Sequence, residues 1–311
     1  MRVFVTGGTG YIGQVIAREL HRKGHQPVLL ARRPDAPAVT QLARDCRAEI
    51  RPGNVLDPAS LAPAMTGTDA VLHLVGIISE IGSNTFQNAH VVATQNVLAA
   101  ARQAGIRRYV HMSALGTRPA APSRYHQTKW QAEEAVRESG LDWTIFRPSL
   151  VFGPTDHFVN TFARLARFSP VIPVMGSGRG RMQPVAVAEV AHCLVAAIDT
   201  PDAIGRTFDL CGPDVLTFRQ VLAEIVRATG KRRLFLRVPM PLARIQAAVL
   251  EVAFPRLLHR AAPLNRDQLT MLEEDNVGDA QPARELFGCD FTGFREGLAF
   301  LQRTNPTATM Q

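Results

Sequence analysis

Tyr125 and Lys129 lie four residues apart, a spacing that puts both side chains on one face of a helix. A tyrosine with its ordinary pKa of about 10 is a poor acid or base at neutral pH. A nearby lysine ammonium favours the phenolate and so eases proton transfer. The pair therefore predicts a general acid–base site.

Ser113 comes directly after a predicted strand, Arg108–Met112, and precedes Tyr125 by twelve residues. A hydroxyl at the carboxyl end of a strand can hydrogen-bond a carbonyl or hydroxyl oxygen of a substrate. We therefore predict Ser113, Tyr125 and Lys129 as the catalytic residues, and no metal site.

A glycine-rich loop follows the first predicted strand, in the run Gly7-Gly8-Thr9-Gly10-Tyr11-Ile12-Gly13. Gly7 permits a tight turn, Gly10 lets the backbone approach a pyrophosphate, and Gly13 lets the following helix pack on the strand. The helix N-terminus adds free N–H groups and the positive end of a dipole. The loop predicts a dinucleotide site, and Lys129 could hold the ribose of that cofactor.

The end of the second predicted strand bears on which dinucleotide binds. An NAD site places Asp or Glu there to bind the ribose 2′-hydroxyl, but this chain has Ala31 followed by Arg32 and Arg33. A guanidinium matches a 2′-phosphate in charge and geometry. We therefore predict NADP(H) as the cofactor.

Short apolar runs alternate with helical patterns through the first half of the chain, which predicts a doubly wound, parallel α/β sheet of the Rossmann type. The predicted helices include Tyr11–Arg22, Thr85–Ala104 and Tyr125–Ser139. The predicted strands are Arg2–Thr6, Pro27–Ala31, Glu49–Arg51, Ala70–Leu74, Arg108–Met112 and Trp143–Arg147.

The pattern changes after Phe152 and becomes mainly helical beyond Pro213. We expect a cofactor-binding domain at 1–152, completed by about 184–212. A smaller, mainly helical C-terminal lobe is expected at 153–183 and 213–304, over the carboxyl ends of the strands. Residues 305–311 are expected to form a flexible tail.

Together the glycine loop, Ser113, the Tyr125–Lys129 pair and Arg147-Pro148-Ser149 resemble the extended short-chain dehydrogenases/reductases. The runs Ser113–Gly116 and Gly140–Ser149 are similar to one atypical branch, the NADPH-binding accessory subunit of respiratory complex I and its bacterial relatives.

The resemblance implies a set of cofactor contacts, to which we add neighbouring residues of the same loops. Implied contacts are Gly7, Gly10, Ile12, Gly13, Arg32, Val75, Gly76, Lys129 and Pro148, and the added ones are Thr6, Tyr11, Arg33, Asn54 and Val55.

Three positions depart from the extended members. Asn54 replaces the Asp that meets the adenine, and His90 replaces an Asn in the fourth helix. Ala188-Glu189 lies where nucleotide-sugar enzymes carry an acidic pair. These departures weaken a transfer of sugar-nucleotide chemistry and leave cofactor binding intact.

The 311 residues carry a formal charge of +8, mostly as scattered arginines without the clusters of a nucleic-acid-binding protein. The four separated cysteines are typical of free thiols.

No apolar stretch predicts a membrane span or a signal peptide, so we expect a cytoplasmic location. Pro239–Pro263, with Arg244, Arg256 and Arg260, fits either a helix buried against the cleft or a peripheral contact with the inner face of the membrane.

Three functions remain open from the sequence. The first is an NADPH-dependent oxidoreductase that acts on the carbonyl or alcohol group of a small-molecule substrate, with lipid- and quinone-related substrates included. The second is a non-catalytic NADPH-binding assembly protein, including an accessory role in a respiratory complex. The third is an NAD-dependent nucleotide-sugar epimerase or dehydratase. The chain is expected to be a monomer or a homodimer.

Overall fold

The computed structural model describes residues 1–303, which alternate between strands and helices. The strands are β1 (Arg2–Thr6), β2 (Gln26–Ala31), β3 (Glu49–Pro52), β4 (Ala70–His73), β5 (Arg108–Met112), β6 (Asp142–Pro148), β7 (Val151–Phe152), β8 (Val171–Met175), β9 (Arg181–Met182), β10 (Val185–Ala186), β11 (Arg206–Leu210), β12 (Leu216–Thr217) and β13 (Leu234–Val238).

The helices flank these strands on both sides. They are α1 (Tyr11–Arg22), α2 (Pro37–Asp45), α3 (Pro58–Met65), α4 (Ala93–Gln103), α5 (Arg124–Arg137), α6 (Phe158–Phe168), α7 (Val187–Ala196), α8 (Phe218–Ala228), α9 (Met240–Leu258), α10 (Arg266–Leu272), α11 (Gln281–Phe287), α12 (Phe294–Gly297) and α13 (Phe300–Arg303).

Seven strands form one parallel sheet in the order β11-β6-β5-β4-β1-β2-β3. This topology confirms the predicted doubly wound, Rossmann-type α/β fold. Side chains alternate between the two faces of each strand, so Val5 enters the apolar cluster that contains Ile16 of α1 and Leu194 of α7. Phe4 enters the opposite cluster with Val97 of α4.

The strand order reverses at β1, which pairs with β2 on one side and with β4 on the other. Open α/β sheets bind ligands at the carboxyl ends of the strands at such a point. A Cβ atom on Gly7 would lie 3.2 Å from the carbonyl carbon of Leu74 and 3.3 Å from the nitrogen of Val75. The loops after β1 and β4 therefore meet where the fold predicts a ligand.

Three two-stranded pairs lie outside the main sheet: β7 with β10, β9 with β12, and β8 with β13. A third apolar cluster, including Phe152, Phe218 and Phe294, joins several of these elements to α6 and α8. The boundaries predicted for the cofactor-binding domain and the smaller lobe stay predictions. Residue 304 and the tail predicted at 305–311 lie outside the described residues.

Two local features differ from the sequence expectations. The helix predicted over Thr85–Ala104 is a π-helix at Gln87–Val92 that continues into α4. The C-terminal lobe, predicted as mainly helical, also contains β13, which pairs with β8. Within residues 1–303, no helix combines the length and apolar character needed to cross a bilayer.

We expect Gly13→Ala to destabilise the protein by about 1–3 kcal/mol, because its Cβ would lie 2.2 Å from the carbonyl oxygen of Gly7. Gly10→Ala is the matched control, since its Cβ would meet the same oxygen at 3.3 Å. Urea denaturation of both variants measures the difference in the free energy of unfolding. Equal loss in the two variants would contradict this packing argument.

Candidate functional site

The glycine loop joins β1 to α1 in a conformation that depends on its glycines. Gly7 has φ +74°, a left-handed conformation that other residues rarely adopt. Its carbonyl accepts a hydrogen bond from the nitrogen of Gly10 at 3.0 Å, which closes the turn. Among the described residues no side chain caps α1, and its first turn carries no acidic residue. The loop thus presents a helix N-terminus suited to phosphate oxygens.

Three residues beside these glycines are wholly or partly buried. The Tyr11 hydroxyl is buried without a hydrogen-bond partner and packs against Gly153, where a Cβ would lie 2.6 Å away. Burial, and secondly the charge of Asp156, raises the pKa of this phenol far above its usual value. The Thr6 hydroxyl is bonded to Nδ1 of His73 at 2.6 Å, and its carbonyl accepts from the nitrogen of Leu74 at 3.1 Å, so Thr6 holds β1 to β4. Ile12 is partly buried at the start of α1.

Arg32 and Arg33 follow β2 with exposed side chains. In the described part of the chain neither guanidinium pairs with a carboxylate, so both are available to an anion. Asn54, after β3, uses its side-chain oxygen to accept from the nitrogen of Leu56 at 3.1 Å, which stabilises a local turn. The carbonyl of Val55 accepts from the Asn96 amide at 3.0 Å.

Lys129 is the most deeply buried of the predicted catalytic residues, at 2% exposure. Its ammonium donates to the carbonyl of Met112 at 3.0 Å, at the end of β5. Burial lowers the Lys129 pKa to about 8, and the nearby Glu133 carboxylate opposes that shift. A Cβ on Gly76 would lie 3.1 Å from Nζ, so the ammonium lies directly beneath the loop that follows β4. Val75 precedes this glycine.

Glu133 lies one turn beyond Lys129 on α5 and is fully buried. Its carboxylate accepts two hydrogen bonds from Arg147, at 2.8 and 2.6 Å, and one from Arg137 at 2.5 Å. A buried carboxylate needs such partners to offset its lost hydration. Arg147, the arginine of the Arg147-Pro148-Ser149 run, therefore has a structural role as a partner of this buried carboxylate. Pro148 itself is buried, and its carbonyl accepts from the nitrogen of Leu115 at 2.9 Å.

Tyr125 lies in the first turn of α5 and is half-buried, with its ring edge-on to His90 and Phe86. Burial, and then the charge of Asp267, raises the Tyr125 pKa to about 12. The sequence argument expected Lys129 to favour the phenolate, so the direction of this shift corrects it. Burial and the Asp267 charge together keep the phenol protonated at neutral pH.

Asp267 and the positioning role of His90 are features that the sequence argument missed. The Asp267 carboxylate accepts from the backbone nitrogens of Arg124 and Tyr125, at 2.7 and 3.0 Å, and thereby caps α5 from the C-terminal lobe. It is 142 residues from Tyr125, and no local pattern signals such a distant cap.

His90 lies in the π-helix, a distortion that is frequent at functional sites. Nε2 of His90 contacts the backbone nitrogen and carbonyl oxygen of Ile77, at 3.1 and 3.2 Å, and Nδ1 faces the Thr128 hydroxyl at 2.8 Å. Burial, and secondly Lys129, lowers the His90 pKa to about 2, so the ring is neutral. His90 therefore ties the Gly76 loop to α5.

Ser113 lies at the end of β5, next to the carbonyl that Lys129 binds, and is 3% exposed. Its hydroxyl faces that of Thr117 at 3.5 Å. The fold therefore brings Ser113 and Lys129 to the same strand end, with Tyr125 one helical turn before Lys129.

The residues at the start of α1 and after β2 fit a dinucleotide. They provide a glycine-rich turn, an uncapped helix N-terminus and two unpaired guanidinium groups.

A family model described as NAD(P)H-binding matches residues 7–201 of the chain. The mitochondrial NADH dehydrogenase (ubiquinone) 1 alpha subcomplex subunit 9 of Arabidopsis thaliana is 30% identical over 88% of this chain and 70% of its own length. The 2-alkyl-3-oxoalkanoate reductase of Stenotrophomonas maltophilia is 29% identical over 98% of this chain and 99% of its own.

Among solved structures, the UDP-glucose 4-epimerase of Thermotoga maritima superposes with a TM-score of 0.76 at 18% identity, over 97% of this chain and 98% of the other. That likeness concerns the fold alone. The matched region contains the glycine loop, both arginines after β2, Ser113, Tyr125 and Lys129. The chain therefore belongs to the NAD(P)H-binding family of Rossmann-type proteins like the short-chain dehydrogenases/reductases.

Proposed function

We propose that this protein is an NADPH-dependent reductase that converts a carbonyl group of a lipid-like substrate into an alcohol. The observation that carries the proposal is the arrangement at the end of β5. Lys129 lies beneath the Gly76 loop, Tyr125 lies one turn earlier on α5, and Ser113 adjoins the carbonyl that holds Lys129. This is the residue set that carbonyl reduction needs.

The chain's own residues would bind the cofactor and move one proton. Gly7, Gly10, Gly13 and the first turn of α1 would hold the pyrophosphate. Arg32 and Arg33 would bind the 2′-phosphate. Bound NADPH supplies a hydride from C4 of its nicotinamide to the carbonyl carbon.

Tyr125 would act as the general acid, because its phenol remains protonated at neutral pH. Its hydroxyl gives a proton to the carbonyl oxygen, and the Ser113 hydroxyl orients that oxygen by a hydrogen bond. The product is an alcohol, and the tyrosinate is reprotonated from solvent. Lys129 would hold the cofactor ribose, and its charge would stabilise the transient tyrosinate.

Two observations support a lipid-like substrate. The Stenotrophomonas relative, matched over nearly the whole chain, is named for a substrate with alkyl chains. Ile78, two residues beyond Gly76, is a 50% exposed apolar side chain on the loop above Lys129. An apolar substrate would cover it.

A second candidate is a non-catalytic role in which NADPH binding stabilises a protein that associates with a respiratory complex. The Arabidopsis complex I subunit supports it, because it matches 88% of this chain. The nucleotide-sugar alternative ranks third, because Ala31 and the two arginines follow β2 without the acid of an NAD site.

The Arg32→Ala, Arg33→Ala double variant should bind NADPH about 10–100-fold more weakly, because two charge-assisted contacts are lost. NADH binding should change little. Fluorescence titration of both nucleotides measures this, with Arg44→Ala as the control for a lost exposed arginine on α2. NADH binding as tight as NADPH binding in the unaltered protein would refute the 2′-phosphate argument.

Tyr125→Phe should lower kcat for carbonyl reduction by about 100-fold or more while the Kd for NADPH stays unchanged, since only the proton donor is removed. NADPH oxidation with a 2-alkyl-3-oxoalkanoate and simpler β-keto acids provides the assay. Turnover that survives the substitution would contradict the role of Tyr125. If the unaltered protein binds NADPH tightly and reduces none of these carbonyls, the non-catalytic role replaces this proposal.

The kcat/KM for reduction should be level from pH 6 to 7 and fall above about pH 8, where buried Lys129 loses its charge. Tyr125, with a pKa near 12, stays protonated throughout this range. Lys129→Arg retains a charge at every pH and should move the fall to higher pH, whatever its absolute rate. A rate that rises between pH 7 and 9 would contradict this assignment.

A further inference from the structure

Helix α9 exposes its large apolar side chains and buries small ones. Ala243 and Ala247 are fully buried, against Leu269 of α10. The residues on the open side recur at intervals of three and four, which defines one helical face. They are Leu242, Ile245, Val249 and Val252, and they are 56%, 64%, 61% and 51% exposed.

The strand that leads into α9 continues this exposed character. Leu234 and Leu236 are alternate residues of β13, so they lie on one face of the strand, at 72% and 61% exposure. Of fourteen exposed large apolar side chains in residues 1–303, eight lie between Leu234 and Leu258. The exposed stripe of α9, formed by Leu242, Ile245, Val249 and Val252, is called the apolar face below. Such a concentration marks an interaction surface.

The segment that carries the apolar face is rich in unpaired positive charge. Residues 231–260 contain seven Lys or Arg and one acid, Glu251, a net of +6 within a chain of +8. Glu251 pairs with Arg266 at 2.8 Å, outside this segment. Five exposed cations have no carboxylate partner among the described residues: Lys231, Arg232, Arg237, Arg256 and Arg260. Of these, Arg237 donates to the backbone carbonyl of Gly176 at 2.9 Å.

We propose that the apolar face docks the protein on an anionic lipid bilayer, with α9 lying in the interface and not spanning it. Apolar side chains can enter the headgroup region while flanking cations bind anionic headgroups. A second copy of the chain would bring two segments of like charge together, which disfavours self-association. The proposal goes beyond carbonyl reduction and does not depend on turnover.

The same lobe contacts the candidate active site. The Asn265 amide donates to the carbonyl of Ile78 at 2.9 Å, and Asp267 caps the turn that carries Tyr125. Both residues lie just after α9. Docking through α9 would therefore bring the segment with Asn265 and Asp267, and the site that it contacts, close to the lipid surface. A lipid-like substrate is found at that surface.

The test is sedimentation of the 311-residue protein with vesicles of phosphatidylcholine alone, or of phosphatidylcholine with about one third phosphatidylglycerol. We expect binding to the anionic vesicles that weakens at least tenfold between about 50 and 500 mM salt. Binding to phosphatidylcholine alone should be much weaker.

Variants separate the apolar face from the general positive charge. Leu242→Ser, Ile245→Ser combined should weaken binding at least tenfold, and the control Ile204→Ser, Val215→Ser, also exposed apolar residues, should not. Lys231→Gln, Arg256→Gln should weaken binding about fivefold per charge, more than the matched pair Lys23→Gln, Arg44→Gln. Thermal melts and NADPH titration verify that each variant is folded.

Three outcomes would overturn the proposal. One is absence of binding to anionic vesicles at low salt. Another is equal binding by the apolar-face variant and its control. The third is a dimer, detected by analytical ultracentrifugation, that the apolar-face variant converts to monomer, because a second copy would then cover this face.

Discussion

The burial of the Lys129 ammonium is the constraint on which the candidate site depends. A charge at 2% exposure must be compensated, and the fold supplies the Met112 carbonyl from β5 and the Glu133 carboxylate from α5. Glu133 needs its own partners, which explains Arg147 on β6 and Arg137 on α5. One buried cation thus fixes two strands and a helix relative to one another.

The same cation shapes the surface that a ligand meets. Gly76 is the residue above Nζ, and a side chain there would approach both Lys129 and His90. His90 remains neutral because burial and the lysine charge both oppose its protonation. It can therefore accept from the Ile77 nitrogen and hold the loop in place.

Helix α10 acts on this site through electrostatics as well as through packing. Asp267 supplies a negative charge to the positive N-terminus of α5, where helices favour carboxylates. Its charge also helps to keep Tyr125 protonated. Asp267, which lies 142 residues beyond Tyr125, therefore adds to the effect of burial on this phenol.

The sequence by itself determined the features that depend on local pattern. The glycine loop, the pair Tyr125–Lys129 and most strands of the sheet follow from residue types at fixed spacing, and helix α1 begins and ends where the spacing predicts. Family resemblance extended this to the cofactor class, because the relevant motifs lie within continuous segments.

Only the tertiary structure decided the rest, since each remaining feature joins distant residues. The pairing of β13 with β8 links segments about sixty residues apart, and no local pattern predicts such a partner. Periodicity showed that α9 has an apolar stripe but not which side is buried, which was decided by the packing of Ala243 and Ala247. The cap from Asp267 and the raised pKa of Tyr125 likewise arise from burial and from contacts between distant residues, which exist only once the chain has folded.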